Sequence, residues 1–283
     1  MIVSFGYKPR QSVVETFDPR ARWIFSILML FAIVNFWDIR FLLGFMVVSL
    51  VQYTFSRLTW KETRRAWMFV FFLMFVMIFV NTIITSAGTI AAVTENPHVI
   101  FAIEKPIRFT MTIERLWYAL TQMVRILAIT TLFLVVPFTM DPRQYGITFK
   151  GMGLGDKLAF TMDLAFRFVP TLARDFGTTL DAQKARGYEL DKFDGNIFKK
   201  VARMAPLIIP VTMNSLLSGE DMVNAMDLRG FSSSGKRTWL YTLQYRRRDT
   251  VLIALSVIAL VVSFVLPRFF DIGNFWVPGF LIP

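Results

Sequence analysis

Apolar and polar positions divide this chain into two kinds of stretch. Five runs are apolar on every face, at about 23–37, 41–55, 66–84, 116–138 and 250–267. About 20 such residues cross the hydrocarbon of a bilayer, so the runs predict five membrane helices. The first two are short and separated by Asp38-Ile39-Arg40 alone, which predicts a tight helical hairpin. The third is nearly pure Phe, Met, Val and Ile, and the fourth carries Arg125 near its middle.

Between the fourth and fifth runs the pattern changes. Residues 139–249 hold 17 basic and 12 acidic side chains, too many to lie in lipid. Asp141-Pro142-Arg143 reads as a helix start or turn. Gly151, Gly153 and Gly155 read as a flexible loop. Over about 156–186, Leu158, Met162, Ala165, Val169, Leu172, Phe176 and Leu180 recur at spacings of three and four. That is the period of an amphipathic helix. A second such helix spans about 196–229, marked by Ile197, Val201, Met204, Ile208, Val211, Leu216 and Met222 or Val223. Pro170 predicts a kink in the first or its split in two, and Pro206 and Pro210 predict a bend near the middle of the second. Each helix stops in the same way, at Ala185-Arg186-Gly187 and at Leu228-Arg229-Gly230. Glycine just past a helix end takes the left-handed turn that closes it. The two helices thus form a loose internal duplication of layout.

Charge sets the orientation. The two short cytoplasmic candidates, the N-terminus and the 56–65 loop, carry eight Lys and Arg, against Arg40 alone on the opposite side of the first hairpin. Basic residues gather on the cytoplasmic side. The N-terminus is therefore expected in the cytoplasm and the C-terminus outside. Three parts follow: 1–138 with four spans, 139–249 as a cytoplasmic coupling module, and 250–283 with the final span and an interfacial tail.

Composition narrows the chemistry. Hydrophobic residues are 55% of the chain and charged ones 18%, against about 45–50% and about 25% in soluble domains. There is no cysteine, which excludes disulfides and thiolate sites, and His98 stands alone in a 86–114 segment expected to be an external loop. The net charge of +11 fits anionic lipid rather than nucleic acid in a membrane chain. The first apolar run follows a polar stretch with no small-residue cleavage site, so it is expected to be a retained helix. Gly230-Phe231-Ser232-Ser233-Ser234-Gly235-Lys236-Arg237 nearly spells a phosphate-binding loop. It lacks the final Ser or Thr and follows a helix rather than a strand. The Glu220-Asp221 pair has no His or basic partner nearby in sequence, which argues against an enzyme.

The paired Arg-Gly ends remain as the candidate site. Arginine offers five donors in a rigid fork that suits a carboxylate or a set of backbone carbonyls. A lone Arg near a helix C-terminus is explained by the dipole; two at corresponding ends ask for more. Ala182-Gln183-Lys184-Ala185-Arg186-Gly187 and Asn224-Ala225-Met226-Asp227-Leu228-Arg229-Gly230-Phe231 resemble the two Arg-centred signatures of the transmembrane T component of energy-coupling factor (ECF) importers, the EcfT/CbiQ/BioN-type family. Phe17-Asp18-Pro19-Arg20 resembles that family's Leu-Asp-Pro-Arg approach to its first span, with Phe for Leu, and the Asp141-Pro142 step also fits. The resemblance covers essentially the whole chain.

It implies an all-α integral membrane protein with about five transmembrane helices and two long amphipathic coupling helices between spans four and five. It implies no catalytic residue, metal site or cofactor. The expected partners are two cytoplasmic ABC ATPases, one receiving Ala185, Arg186 and Gly187 and the other Leu228, Arg229 and Gly230. A separate S-type membrane subunit that binds the vitamin or metal ion is expected on the apolar helix faces, at Met162, Phe166, Val169, Phe176, Met204 and Ile208. The place is the cell membrane, with no nucleic acid bound. The alternative is the permease of a conventional ABC transporter with its own substrate path, which more typically shows one coupling motif and more polar spans.

Overall fold

The computed structural model describes residues 9–84, 99–103, 109–188, 197–231, 239 and 242–270. The chain is built from helices: α1 (Pro19–Asn35), α2 (Ile39–Phe55), α3 (Trp60–Ile84), α4 (Ile113–Thr139), α5 (Tyr145–Gly151), α6 (Asp156–Ala185), α7 (Ile197–Leu228) and α8 (Arg247–Phe270). One short antiparallel hairpin, β1 (Val99–Ile103) with β2 (Phe109–Thr112), precedes α4. It occupies part of the stretch read as an external loop. Its Val, Ile and Phe residues are those that favour a strand. His98, Lys105, Arg108 and the tail after Phe270 lie outside the described residues.

The chain divides into two compact units, one of Gly6–Asp141 with Leu243–Pro283, the other essentially Pro142–Thr242. Among the described residues of the first unit, three helices are long and apolar enough to cross a membrane unaided, over Trp60–Val80, Leu116–Thr139 and Arg247–Phe269. The two expected before them are shorter. Each of α1 and α2 has 17 residues, about 25 Å of helix against about 30 Å of hydrocarbon.

Local chemistry sets the starts of these helices. Asp18 accepts the Arg20 N–H at 2.8 Å and Pro19 takes the first position of α1. Asp38 accepts the Arg40 N–H at 2.9 Å at the start of α2. Both are ordinary N-caps. The α1–α2 corner is thereby reduced to Phe36, Trp37 and Asp38.

α1 lies along α8, and α2 along α4. α1 and α8 run parallel. At one end the Asp18 N–H donates to Asp249 Oδ1 at 2.9 Å, and at the other Asn35 Nδ2 donates to the Ser263 carbonyl. Asp249 Oδ2 also accepts the Arg246 N–H at 2.7 Å, the return half of a capping box. The core is Phe25, Met29, Ile33 and Phe36 of the α1 side, Leu42 of α2, and Ala128 and Leu132 of α4.

Arginines complete this bundle from within. Arg22, buried, donates through Nη1 to the Thr139 carbonyl at 2.9 Å and to Thr139 Oγ1 at 3.1 Å. Arg10 donates to the Phe138 carbonyl at 3.0 Å and pairs with Glu62 at 2.7 Å. Both reach the last carbonyls of α4, which have no partner inside their own helix. Arg125, only 9% exposed, donates to the Phe36 carbonyl and lies 4.6 Å from the Trp37 ring centroid. It closes the C-terminus of α1. The outward faces remain apolar: Phe69, Phe72 and Phe75 of α3 and Leu255, Ile258 and Phe264 of α8 are exposed. Lipid tails solvate such surfaces.

In the second unit, the glycine-marked segment is the short turn between α5 and α6. α5 runs to Gly151 and turns at Gly153, with φ +106°. It is pressed onto α6. A Cβ on Gly146 would lie 2.6 Å from the Ala159 carbonyl oxygen and 2.9 Å from Asp163 Cβ, so no larger residue fits without movement. The Tyr145 and Phe166 rings stack beside it at 4.9 Å. Pro170 lies inside α6, and Pro206 and Pro210 inside α7; both helices continue through them rather than breaking.

α6 and α7 pack antiparallel. Phe160 near the start of α6 meets Phe231 just past the end of α7, with ring centroids 4.5 Å apart. Gln183 near the end of α6 donates to the Pro206 carbonyl near the start of α7 at 3.3 Å.

Two arginine-tipped helix ends as the candidate functional site

The expected helix stops are built alike. Arg186 is the C-cap of α6, and its N–H donates to the Ala182 and Gln183 carbonyls at 3.3 and 3.0 Å. The Gly187 N–H donates to the Lys184 carbonyl at 2.9 Å, and the Tyr188 N–H to the Gln183 carbonyl at 3.0 Å. At the end of α7, the Arg229 N–H donates to the Ala225 and Met226 carbonyls at 3.3 and 3.1 Å. The Gly230 N–H donates to the Asp227 carbonyl and the Phe231 N–H to the Met226 carbonyl, both at 2.9 Å. Each set is a Schellman closure, with crossed bonds from the two residues beyond the cap. Gly187 has φ +86° and Gly230 φ +71°, and a Cβ on either would meet nothing within 4 Å. These glycines serve the left-handed backbone, not close packing.

A third closure shows what is particular about the two. At the end of α5 the Gly153 N–H donates to the Lys150 carbonyl at 2.9 Å and the Leu154 N–H to the Phe149 carbonyl at 3.0 Å. There the cap residue is Met152. The turn is therefore a general way of ending a helix in this unit. The arginine is what sets two of the three ends apart.

Both arginines are open. Ala185, Arg186, Gly187, Arg229 and Gly230 are exposed, and Leu228 is 91% exposed. Among the described residues neither guanidinium takes part in a hydrogen bond or ion pair. Because the helices are antiparallel, the two tips lie at opposite ends of the pair, roughly 35 Å apart at 1.5 Å of rise per residue.

Of the apolar contact candidates, Met162, Val169, Phe176, Met204 and Ile208 are exposed, whereas Phe166 is half-buried against Tyr145. α7 exposes more than the periodicity singled out. Ile209, Met213 and Leu217, outside that periodicity, are also open, as are Leu216 and Val223, because α7 is apolar on two faces and only one packs on α6. Among the described residues no group of three His, Asp or Glu side chains is placed to hold a metal. Residues 232–238 of the phosphate-loop lookalike lie outside the described residues; Gly230 and Phe231 follow the end of a helix.

Known proteins resemble this chain over most of its length. The cobalt transport protein family CbiQ matches residues 11–240. The energy-coupling factor transporter transmembrane protein EcfT of Lactococcus lactis subsp. cremoris is 26% identical over 273 residues, covering 92% of this chain and 95% of that protein. Its namesake in Thermotoga maritima is 24% identical over 280 residues, covering 95% of each. That of Limosilactobacillus fermentum is 34% identical over 110 residues, a local match to 39% of this chain and 40% of that protein. The chain, a helical membrane protein carrying two Arg-Gly helix ends, belongs to the CbiQ family of transport proteins, as a T component of the energy-coupling factor kind.

Proposed function

We propose that this chain couples two cytoplasmic ABC ATPases to a separate substrate-binding membrane subunit, and so drives uptake of a vitamin or metal ion across the cell membrane. One ATPase receives Ala185, Arg186 and Gly187, and the other receives Leu228, Arg229 and Gly230. The observation that carries the reading is the pair of identical closures, each with an unengaged arginine, at opposite ends of one antiparallel pair. A separation of roughly 35 Å is the scale of a small domain, so the tips suit two partners rather than one.

The substrate subunit packs on the exposed apolar faces of α6 and α7, including Met162, Val169, Phe176, Met204 and Ile208. Apolar surface of that extent marks a partner or a membrane, and methionines allow it to repack as the ATPases open and close. The N-terminus lies in the cytoplasm, by the excess of Lys and Arg beside the first hairpin. The parallel course of α1 and α8 supports an odd number of crossings and an external C-terminus. ATP hydrolysis belongs to the partners.

The test is charge reversal. Arg186→Glu and Arg229→Glu, singly and together, are assayed for co-purification of the ATPases and for cargo uptake. Each single change is expected to weaken retention of one ATPase, and the double change to abolish both assembly and uptake. Normal assembly and uptake in the double variant would end the docking reading.

A further inference from the structure

The chain leaving the second tip is tied back to the start of α6. Phe231, directly after Gly230, packs on Phe160 with ring centroids 4.5 Å apart and planes inclined by 45°. Trp239 donates its indole N–H to Asp156 Oδ1 at 3.3 Å, on the first residue of α6. The same oxygen takes Lys150 Nζ at 2.8 Å, and that ammonium lies 4.9 Å from the Trp239 ring centroid. Lys150 belongs to α5, whose Gly146 is already pressed on Ala159 and Asp163. The end of α7, the start of α6 and the whole of α5 therefore meet in one cluster of rings and charges. At the opposite end of the pair, Gln183 donates to the Pro206 carbonyl at 3.3 Å.

The cluster at the Arg229 end matters because helix ends fray. Displacement applied to a frayed tip is absorbed by the last turn instead of being passed on. We propose that Phe160, Phe231 and Trp239 are positioning residues, a joint that fixes the Arg229 tip to α5 and the first turns of α6. Force received at Arg229 then enters α5 and passes through residues 140–144 into α4, the membrane helix that directly precedes it in the chain. The proposal rests on the docking role of Arg229 given above. It assigns these three residues to transmission, not to docking.

The whole complex, reconstituted in liposomes, separates the two roles. ATPase co-purification, ATP hydrolysis and cargo uptake are measured for Phe160→Ala, Phe231→Ala and Arg229→Glu. The two Ala variants are expected to keep the ATPases and their hydrolysis, while uptake per ATP falls by up to about tenfold, the range an aromatic pair supports. Phe231→Tyr restores it. Unchanged uptake per ATP in both Ala variants overturns the joint. So does loss of an ATPase from Phe231→Ala as complete as from Arg229→Glu, because Phe231 would then belong to the docking surface. Full retention of both ATPases by Arg229→Glu removes the docking reading itself, whatever the Phe variants do. The chain has no cysteine, so Phe160→Cys with Phe231→Cys can be bridged by a short bis-thiol reagent if an Ala variant fails to assemble. Uptake that rises on bridging supports the joint; uptake that is unchanged or falls overturns it.

Discussion

The membrane unit and the coupling unit use arginine in opposite ways. Arg22 and Arg125 are buried among apolar side chains, and each donates to a backbone carbonyl left over at a helix end. Arg186 and Arg229 sit at helix ends too, yet they project from the surface with no side-chain partner among the described residues. In the first unit the bundle supplies both halves of each interaction, since a buried polar group without a partner is costly. In the second unit the fold supplies one half, and in the function proposed above a partner chain supplies the other. Where a cation's acceptors are found separates a charge that holds a fold from one that meets a partner.

The comparison can be broken most directly by removing each kind of charge. Arg186→Gln with Arg229→Gln removes one set of charge-assisted bonds from each ATPase, about 1.5–3 kcal/mol, so the affinity for each is expected to fall by about ten- to a hundredfold. The melting temperature of the isolated chain in detergent stays unchanged. Arg22→Met should do the reverse. It leaves the Thr139 carbonyl short of a buried donor, for a loss of about 1–3 kcal/mol in thermal stability, while ATPase pull-down from the folded fraction is unaltered. A melting temperature that falls in the first variant and not in the second would invert the comparison.

Smaller effects sharpen it within the coupling unit. Gly146→Ala forces α5 off α6, with a loss of about 1–3 kcal/mol from overpacking, read as earlier proteolysis of α5. Gly230→Ala meets no neighbour and strains only a left-handed backbone, so a loss of about 1 kcal/mol is expected. Met152→Ala, at the cap of the third closure, is expected to leave ATPase retention unchanged. Any ATPase lost with that change would mean that α5 is itself a docking end.

Much of this architecture is legible in sequence because lipid and helix each impose a simple pattern. Uniform apolarity marks α3, α4 and α8, and the spacing of three and four marks α6 and α7. The stops at Gly187 and Gly230 are legible because a left-handed closure demands a residue without a side chain. Other features have no such signature. Arg125 binds the carbonyl of Phe36, 89 residues away, and a backbone carbonyl looks the same at every position. Gly151, Gly153 and Gly155 mark the turn after α5, but α5 itself sits against α6 because of Gly146, a contact no local pattern announces. Pro170 suggests a kink or a split, and α6 runs through it unsplit. The second apolar face of α7 merges with the first when read as a single periodicity. Whether the tips bind ATPases is written in neither pattern, since an exposed arginine looks the same in sequence with or without a partner.

The antiparallel course of α6 and α7 has a consequence in symmetry. Two like helices that run in opposite directions and end alike are related by an approximate two-fold axis through the middle of the pair. Under the function proposed above, one chain thereby offers a like Arg-Gly corner to each of two partners. The axis is broken beside the arginines, where Lys184-Ala185 stands at one corner and Asp227-Leu228 at the other. The corners therefore differ in charge as well as in bulk.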